Sequence, residues 1–124
     1  MPGRNQRVLL VDDDDSILES VRAALGERGY EVLTARDGAE GLMRVERDVP
    51  DLMVLDMIMP RRSGLTVLEH LHRSRLRRPK IIMVSAIDDA RQREFALSRG
   101  ADRFIVKPFD IDRLADEVDG LLCA

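Results

Sequence analysis

Short runs of consecutive apolar residues alternate along the chain with segments whose apolar positions recur every three or four residues. The run "RVLLV" (7–11) has the pattern of a strand buried on both faces of a parallel sheet. In "SILESVRAALGERG" the period changes: Ile17, Leu18, Val21, Ala24 and Leu25 fall on one helical face, and Gly29 is placed to end the helix. The same alternation predicts a strand at "YEVLTA" (30–35) and a helix at "DGAEGLMRVERD" (37–48), opened by Asp37 as a cap. A third strand, "DLMVL" (51–55), is bounded by Pro50 and leads through the turn "MPRRSG" into the helix "LTVLEHLHRS", where Leu65, Leu68 and Leu71 share a face. The fourth unit runs from "KIIMVS" (80–85) into "DDARQREFALSRG", with Asp88 or Asp89 as cap and Gly100 as terminator. The fifth joins "RFIV" (103–106) to "DIDRLADEVDGLL" (about 110–122), on which Ile111, Leu114, Val118 and Leu121 keep helical spacing.

Five strand–helix units in strict alternation predict an α/β fold, because parallel strands need helical crossovers and those crossovers cover both faces of the sheet. Five strands at this size fit the flavodoxin-like (βα)5 three-layer sandwich, with a parallel sheet of order 2-1-3-4-5. The units differ in motif and loop length, so they are not a solenoid repeat.

Composition narrows the function classes. At 124 residues the chain fits one domain, taken as 1–124, and 44% hydrophobic with 35% charged residues is a globular composition. A net charge of -3 gives no general attraction to nucleic acid or anionic lipid, and three Phe, one Tyr and no Trp make a base-stacking platform a poor reading. The N-terminal "MPGRNQR" lacks the apolar core of a signal peptide, and no window approaches the roughly 20 apolar residues of a membrane span. A cytoplasmic location is the expectation. Cys123 is the lone cysteine, so it forms no internal disulfide and is read as a spectator.

Candidate chemistry collects at the carboxyl ends of the strands, where ligands bind in open α/β sheets. Strand 1 ends in Asp12 and Asp13, strand 3 in Asp56, strand 4 in Ser85 and strand 5 in Lys107. In the order 2-1-3-4-5, strands 1 and 3 are neighbours, and three carboxylates converge. Like charges and desolvation raise one another's cost there, and a divalent cation offsets it. Oxygen-only ligands in a hydrated cleft favour Mg2+. A strand-end carboxylate beside a metal, a hydroxyl and a lysine suits phosphoryl transfer, with Asp56 as nucleophile, Lys107 neutralising charge and Ser85 donating to a phosphoryl oxygen.

Plainer readings account for part of the pattern. Helix capping and dipole stabilisation explain Asp14, Asp15 or Ser16. An EF-hand loop starting at Asp12 fails, because Ile17 stands where Gly is required and Ala23 where a bidentate Glu is required. The basic stretch "HRSRLRRPK", ending at Lys80, has no interleaved aromatics and reads as solvated surface rather than a phosphate-binding patch. Met53, Met57, Met59 and Met83 read as fillers of core and rim gaps.

Over essentially its whole length the chain resembles the receiver domain of two-component response regulators, through "VLLVDDDDSI", "YEVLTARDGAEGL", "PDLMVLDMIMPRRSGLTVLEHL", "IIMVSA" and "GADRFIVKPFD" in that order. The resemblance implies a phosphoacceptor at Asp56 and a direct Mg2+ ligand at Asp13. It gives Asp12 a role mainly through water, and the main-chain carbonyl of Ile58 completes the protein ligands. It further makes Ser85 and Phe104 the switch pair and Lys107 the site lysine, followed by Pro108, where the family has a cis peptide bond. The implied partner is a sensor histidine kinase or phosphotransfer protein, acting on a domain that does not itself bind nucleic acid or membrane. The implied output face joins the fourth helix, fifth strand and fifth helix. A phosphorylation-dependent homodimer through that face is compatible with the family, although Arg103 and Arg113 stand where the winged-helix class usually has acids. Ile58 and Ile87 put apolar side chains at the pocket rim, which predicts slow or moderate loss of the phosphoryl group; a lifetime of only seconds would contradict this.

Three rivals share parts of the pattern. A flavodoxin-type carrier needs hydroxyls and amides after strand 1, where Asp12 to Asp15 would repel a phosphate. A phosphatase with an aspartyl-phosphate intermediate resembles a D-x-D pattern, whose second acid is Ile58 here. A phosphate-independent interaction module leaves the filled site positions without a use.

Overall fold

The computed structural model describes residues 5–59, 63–74 and 78–122, so part of the basic stretch, part of the "MPRRSG" turn and Cys123 lie outside the described residues. Its elements are β1 (Arg7–Val11), α1 (Asp15–Glu27), β2 (Glu31–Ala35), α2 (Gly38–Asp48), β3 (Leu52–Asp56), α3 (Gly64–Arg73), β4 (Lys80–Ser85), α4 (Ala90–Ser98), β5 (Arg103–Val106) and α5 (Ile111–Leu122). All strand pairs are parallel, in the order β2-β1-β3-β4-β5. The flavodoxin-like arrangement expected from the alternation is the one observed.

Strand periodicity divides the core into two layers. Leu9, Val11, Met53, Leu55, Ile81 and Met83 point to the side covered by α2, α3 and α4, with Leu42, Val45, Val67, Leu68 and Leu71 packing from those helices. Val8, Leu10, Leu52, Val54, Ile82 and Val84 point to the other side, against Leu18, Val21 and Leu25 of α1 and Leu114 and Val118 of α5. Burial on both faces is why β1, β3 and β4 show continuous apolar runs instead of alternation. The edge strand β2 is only partly buried through Val32 to Thr34. The methionines expected to fill gaps are buried, Met57 and Met59 included.

Helix ends follow the capping chemistry of the sequence. Asp14, Asp37, Ser63 and Asp89 accept hydrogen bonds from the first-turn amides of α1, α2, α3 and α4. Helix α1 stops at Glu27, and Gly29 adopts φ +94° beyond it. Helix α4 is seated differently from the rest: Ala96 is its one buried residue, while Phe95 and Leu97 are exposed. At the other side of the molecule α1 and α5 are stitched by Arg28, which pairs with Asp116 at 2.9 Å and Asp119 at 2.6 Å, and by the buried Tyr30, whose hydroxyl donates to Asp119.

Candidate functional site

Main-chain bonds just beyond the strands fix the rim of the site. Asp12 N–H donates to the carbonyl of Ala35, Met57 N–H to Val84, and Lys107 N–H to Ser85. Each continues a sheet pairing by one residue, so the side chains at positions 12, 56, 85 and 107 sit on a rigid edge. Gly64, at the start of α3, lies against the end of β3, and its N–H donates to the Met57 carbonyl at 2.8 Å. A Cβ on Gly64 would lie 2.1 Å from the Asp56 carbonyl oxygen and 2.8 Å from Met57 Cα. Only glycine lets α3 start this close to the end of β3.

Asp12 and Asp56 are buried, and Asp13 is exposed at the mouth. One carboxylate oxygen from each of the three lies within 4.8 Å of the others. Lys107 reaches between them, with Nζ 3.0 Å from Asp12 Oδ2 and 3.4 Å from Asp56 Oδ2. The Ile58 N–H donates to Asp56 Oδ1 at 3.4 Å, while Ile58 itself is 59% exposed. Asp12 Oδ1 is held by the Asp14 N–H at 2.9 Å, which leaves its other oxygen to the lysine.

Burial pushes the Asp56 carboxyl up to about 6, and the nearby charge of Asp12 adds to the shift; Lys107 and the Ile58 amide oppose it. Burial alone would lower Lys107, but the hydrogen bond to Asp12 and the charges of Asp56 and Asp12 outweigh it and hold the ammonium above its ordinary range. One lysine therefore does not neutralise three acids. The set offers only oxygen donors, converges on one point and carries uncompensated negative charge, which fits a hard divalent cation.

The four aspartates after β1 divide by position. Asp12 and Asp13 belong to the carboxylate cluster. Asp14 caps α1, accepting from Ser16 N–H at 2.9 Å, and Asp15 pairs with Arg36 just beyond β2 at 2.6 Å. Ser85 is fully buried, but its hydroxyl is engaged by the next loop: it donates to the Ile87 carbonyl at 3.2 Å and accepts from the Ile87 N–H at 3.1 Å. Phe104 is partly buried against the α2–α3–α4 side of the core, and Arg93 lies over its ring, 5.4 Å from the centroid. The Lys107–Pro108 peptide bond is cis. Sequence reading missed Gly64 and Arg93. Each depends on a contact between elements, and "SGL" or "RQRE" carries no local signal of it.

The response regulator receiver domain, as a family description, matches residues 8–119. The response regulator MprA of Mycobacterium leprae (strain TN) is 41% identical over 116 residues, covering 94% of this chain and 50% of its own length. The alkaline phosphatase synthesis transcriptional regulatory protein PhoP of Bacillus subtilis (strain 168) is 36% identical over 118 residues, covering 95% of this chain and 49% of its own. The chain thus spans about half the length of these curated relatives. Among solved structures, the receiver domain of the Francisella response regulator 1452 superposes with a TM-score of 0.89 at 32% identity, covering 94% of this chain and 96% of that one.

Proposed function

The chain belongs to the response regulator receiver domain family, the phosphoacceptor switches of two-component signalling, and from that premise we propose how its own residues carry the phosphoryl group. Asp56 is the acceptor. It ends the central strand β3, is buried together with its side chain, and has its carboxylate 3.4 Å from Lys107 Nζ. A phosphohistidine on a sensor histidine kinase or phosphotransfer protein is the donor. An Asp56 carboxylate oxygen attacks phosphorus in line, the P–N bond breaks, and its electron pair stays on the imidazole nitrogen, which takes a proton from solvent. The product is an acyl phosphate on Asp56.

Asp13, Asp56 and the main-chain carbonyl of Ile58 would hold Mg2+, with Asp12 acting mainly through water. Bound there, the ion would supply positive charge to the phosphoryl oxygens. Lys107 shifts from pairing two carboxylates to pairing a carboxylate and a phosphoryl oxygen, so its charge is in place before transfer begins. Ser85 donates to another phosphoryl oxygen once it leaves Ile87. The position two residues past the acceptor is the exposed Ile58 and not an acid, so no side chain there activates water, and the domain acts on its own phosphoryl group instead of turning over exogenous esters.

Recruitment of Ser85 and inward packing of Phe104 then alter the face of α4, β5 and α5, which controls a partner or an attached effector. Residues 1–124 serve as one receiver unit in the cytoplasm, alone or within a longer regulator. Among the described residues no helix is long and apolar enough to cross a membrane. Arg103 is already paired with Glu117 at 3.0 Å, so a homodimer through this face has to work around that pair or exchange it.

The observation that carries this reading is Lys107 Nζ at hydrogen-bond or ion-pair distance from both buried carboxylates, with Asp13 alongside. Titration with beryllofluoride and magnesium, followed by calorimetry, tests it. Magnesium-dependent binding to the wild type that disappears in Asp56→Asn is expected; binding that persists in Asp56→Asn refutes the acceptor.

A further inference from the structure

The loop between β4 and α4 connects three contacts that together run from the site to β5. Ser85 holds Ile87 through both the amide and the carbonyl of that residue. The next residue, Asp88, takes the guanidinium of Arg93 at 3.3 Å from the first turns of α4. Arg93 in turn covers the ring of Phe104. A guanidinium within about 6 Å of a ring centroid is attracted to its face, more weakly at an exposed site than at a buried one.

Resting on the switch reading above, we infer that Asp88 and Arg93 are positioning residues that couple Ser85 to Phe104 in this chain. With Ser85 bonded to Ile87, Asp88 stands where it orients Arg93, and Arg93 holds the Phe104 ring from its outer side. For the Ser85 hydroxyl to donate to a phosphoryl oxygen on Asp56, its hydrogen bond to the Ile87 carbonyl must break. That movement carries the adjoining Asp88, loosens its grip on Arg93 and frees the ring to repack. The link runs in the other direction as well, since coupling free energies are reciprocal: weakening Arg93 favours the arrangement in which Ser85 meets the phosphoryl group. Helix α4 tolerates such a shift because Ala96 alone anchors it in the core.

The test compares wild type, Arg93→Ala, Arg93→Lys, Asp88→Ala and the double variant Asp88→Ala/Arg93→Ala. Two readouts are followed: the Phe104 ring resonances of the free protein by NMR, and the half-saturating beryllofluoride concentration at fixed magnesium. Arg93→Ala should move the ring resonances and lower the half-saturating concentration about two- to fivefold, the range a surface cation–ring contact supports. Asp88→Ala should act in the same direction, the double variant should add little to Arg93→Ala, and Arg93→Lys should recover part of the effect. Melting temperatures serve as the control, because a merely structural role would lower them without tightening beryllofluoride. Unchanged ring resonances and an unchanged half-saturation in Arg93→Ala, with wild type binding normally, overturn the link while leaving the phosphoacceptor reading intact. Failure of the wild type to bind beryllofluoride removes that reading and the link with it.

Discussion

Among the described side chains Asp56 bears the clearest physical mark: a carboxyl in a strand end that binds its proton up to about 6. Its ordinary value lies near 3.8, so between about pH 4 and 6 the unfolded chain releases this proton more readily than the folded one. Ionising Asp56 therefore costs stability as pH rises through that window, and the loss is complete above it. Asp56→Asn has no such proton to lose. In the presence of a chelator it should melt several degrees above wild type at about pH 7.5, a gap on the order of 2 kcal/mol, and the two should converge toward about pH 4. Magnesium should close the gap at neutral pH by stabilising the ionised wild type. Thermal denaturation across pH, with and without magnesium, measures all three; a wild type that gains stability relative to Asp56→Asn as pH rises without metal would contradict the geometry.

Between elements, the decisive spacing is that of β3 and α3. Gly64→Ala drives a methyl into the Asp56 carbonyl and should cost about 2–3 kcal/mol, because backbone and not a flexible side chain has to move. Val49 marks the opposite case. It closes α2 in the left-handed region at φ 45°, a conformation unfavourable for a β-branched residue, and Val49→Gly should gain about 0.5–1 kcal/mol. Denaturant unfolding of the two variants checks both signs. Much of this level was legible beforehand. Apolar runs located β1, β3 and β4 because those strands are buried on both faces; local side-chain chemistry declared Asp37 as a cap and narrowed the α1 cap to Asp14, Asp15 or Ser16, of which Asp14 fills the role. Carboxylates at strand ends were legible for the same reason, since topology alone brings Asp12, Asp13 and Asp56 together. Gly64, Val49, Arg93 and the Tyr30–Asp119 bond were not, because each owes its meaning to a backbone angle or to a residue many positions away.

At the scale of the whole molecule, the two core layers are unequal in a way that suits signalling. Helices α1 and α5 are fixed by Leu18, Val21, Leu25, Leu114 and Val118 and stitched by Arg28. Across the sheet α4 has only Ala96 to hold it, and β5 presents Phe104 partly to solvent beneath Arg93. A near-complete swing between two arrangements needs on the order of 5 kcal/mol of differential interaction, and a doubly charged group placed beside Lys107 and Ser85 is a source of that size. All of this hangs on where the phosphoryl group goes. The direct measurement is to incubate the protein with magnesium and acetyl phosphate, reduce the product with borohydride, and map the modified residue by peptide mass spectrometry. Reduction of an aspartyl phosphate to homoserine at Asp56, absent without magnesium and absent in Asp56→Asn, is the predicted result. Phosphorylation at another residue, or labelling that survives in Asp56→Asn, would contradict the account.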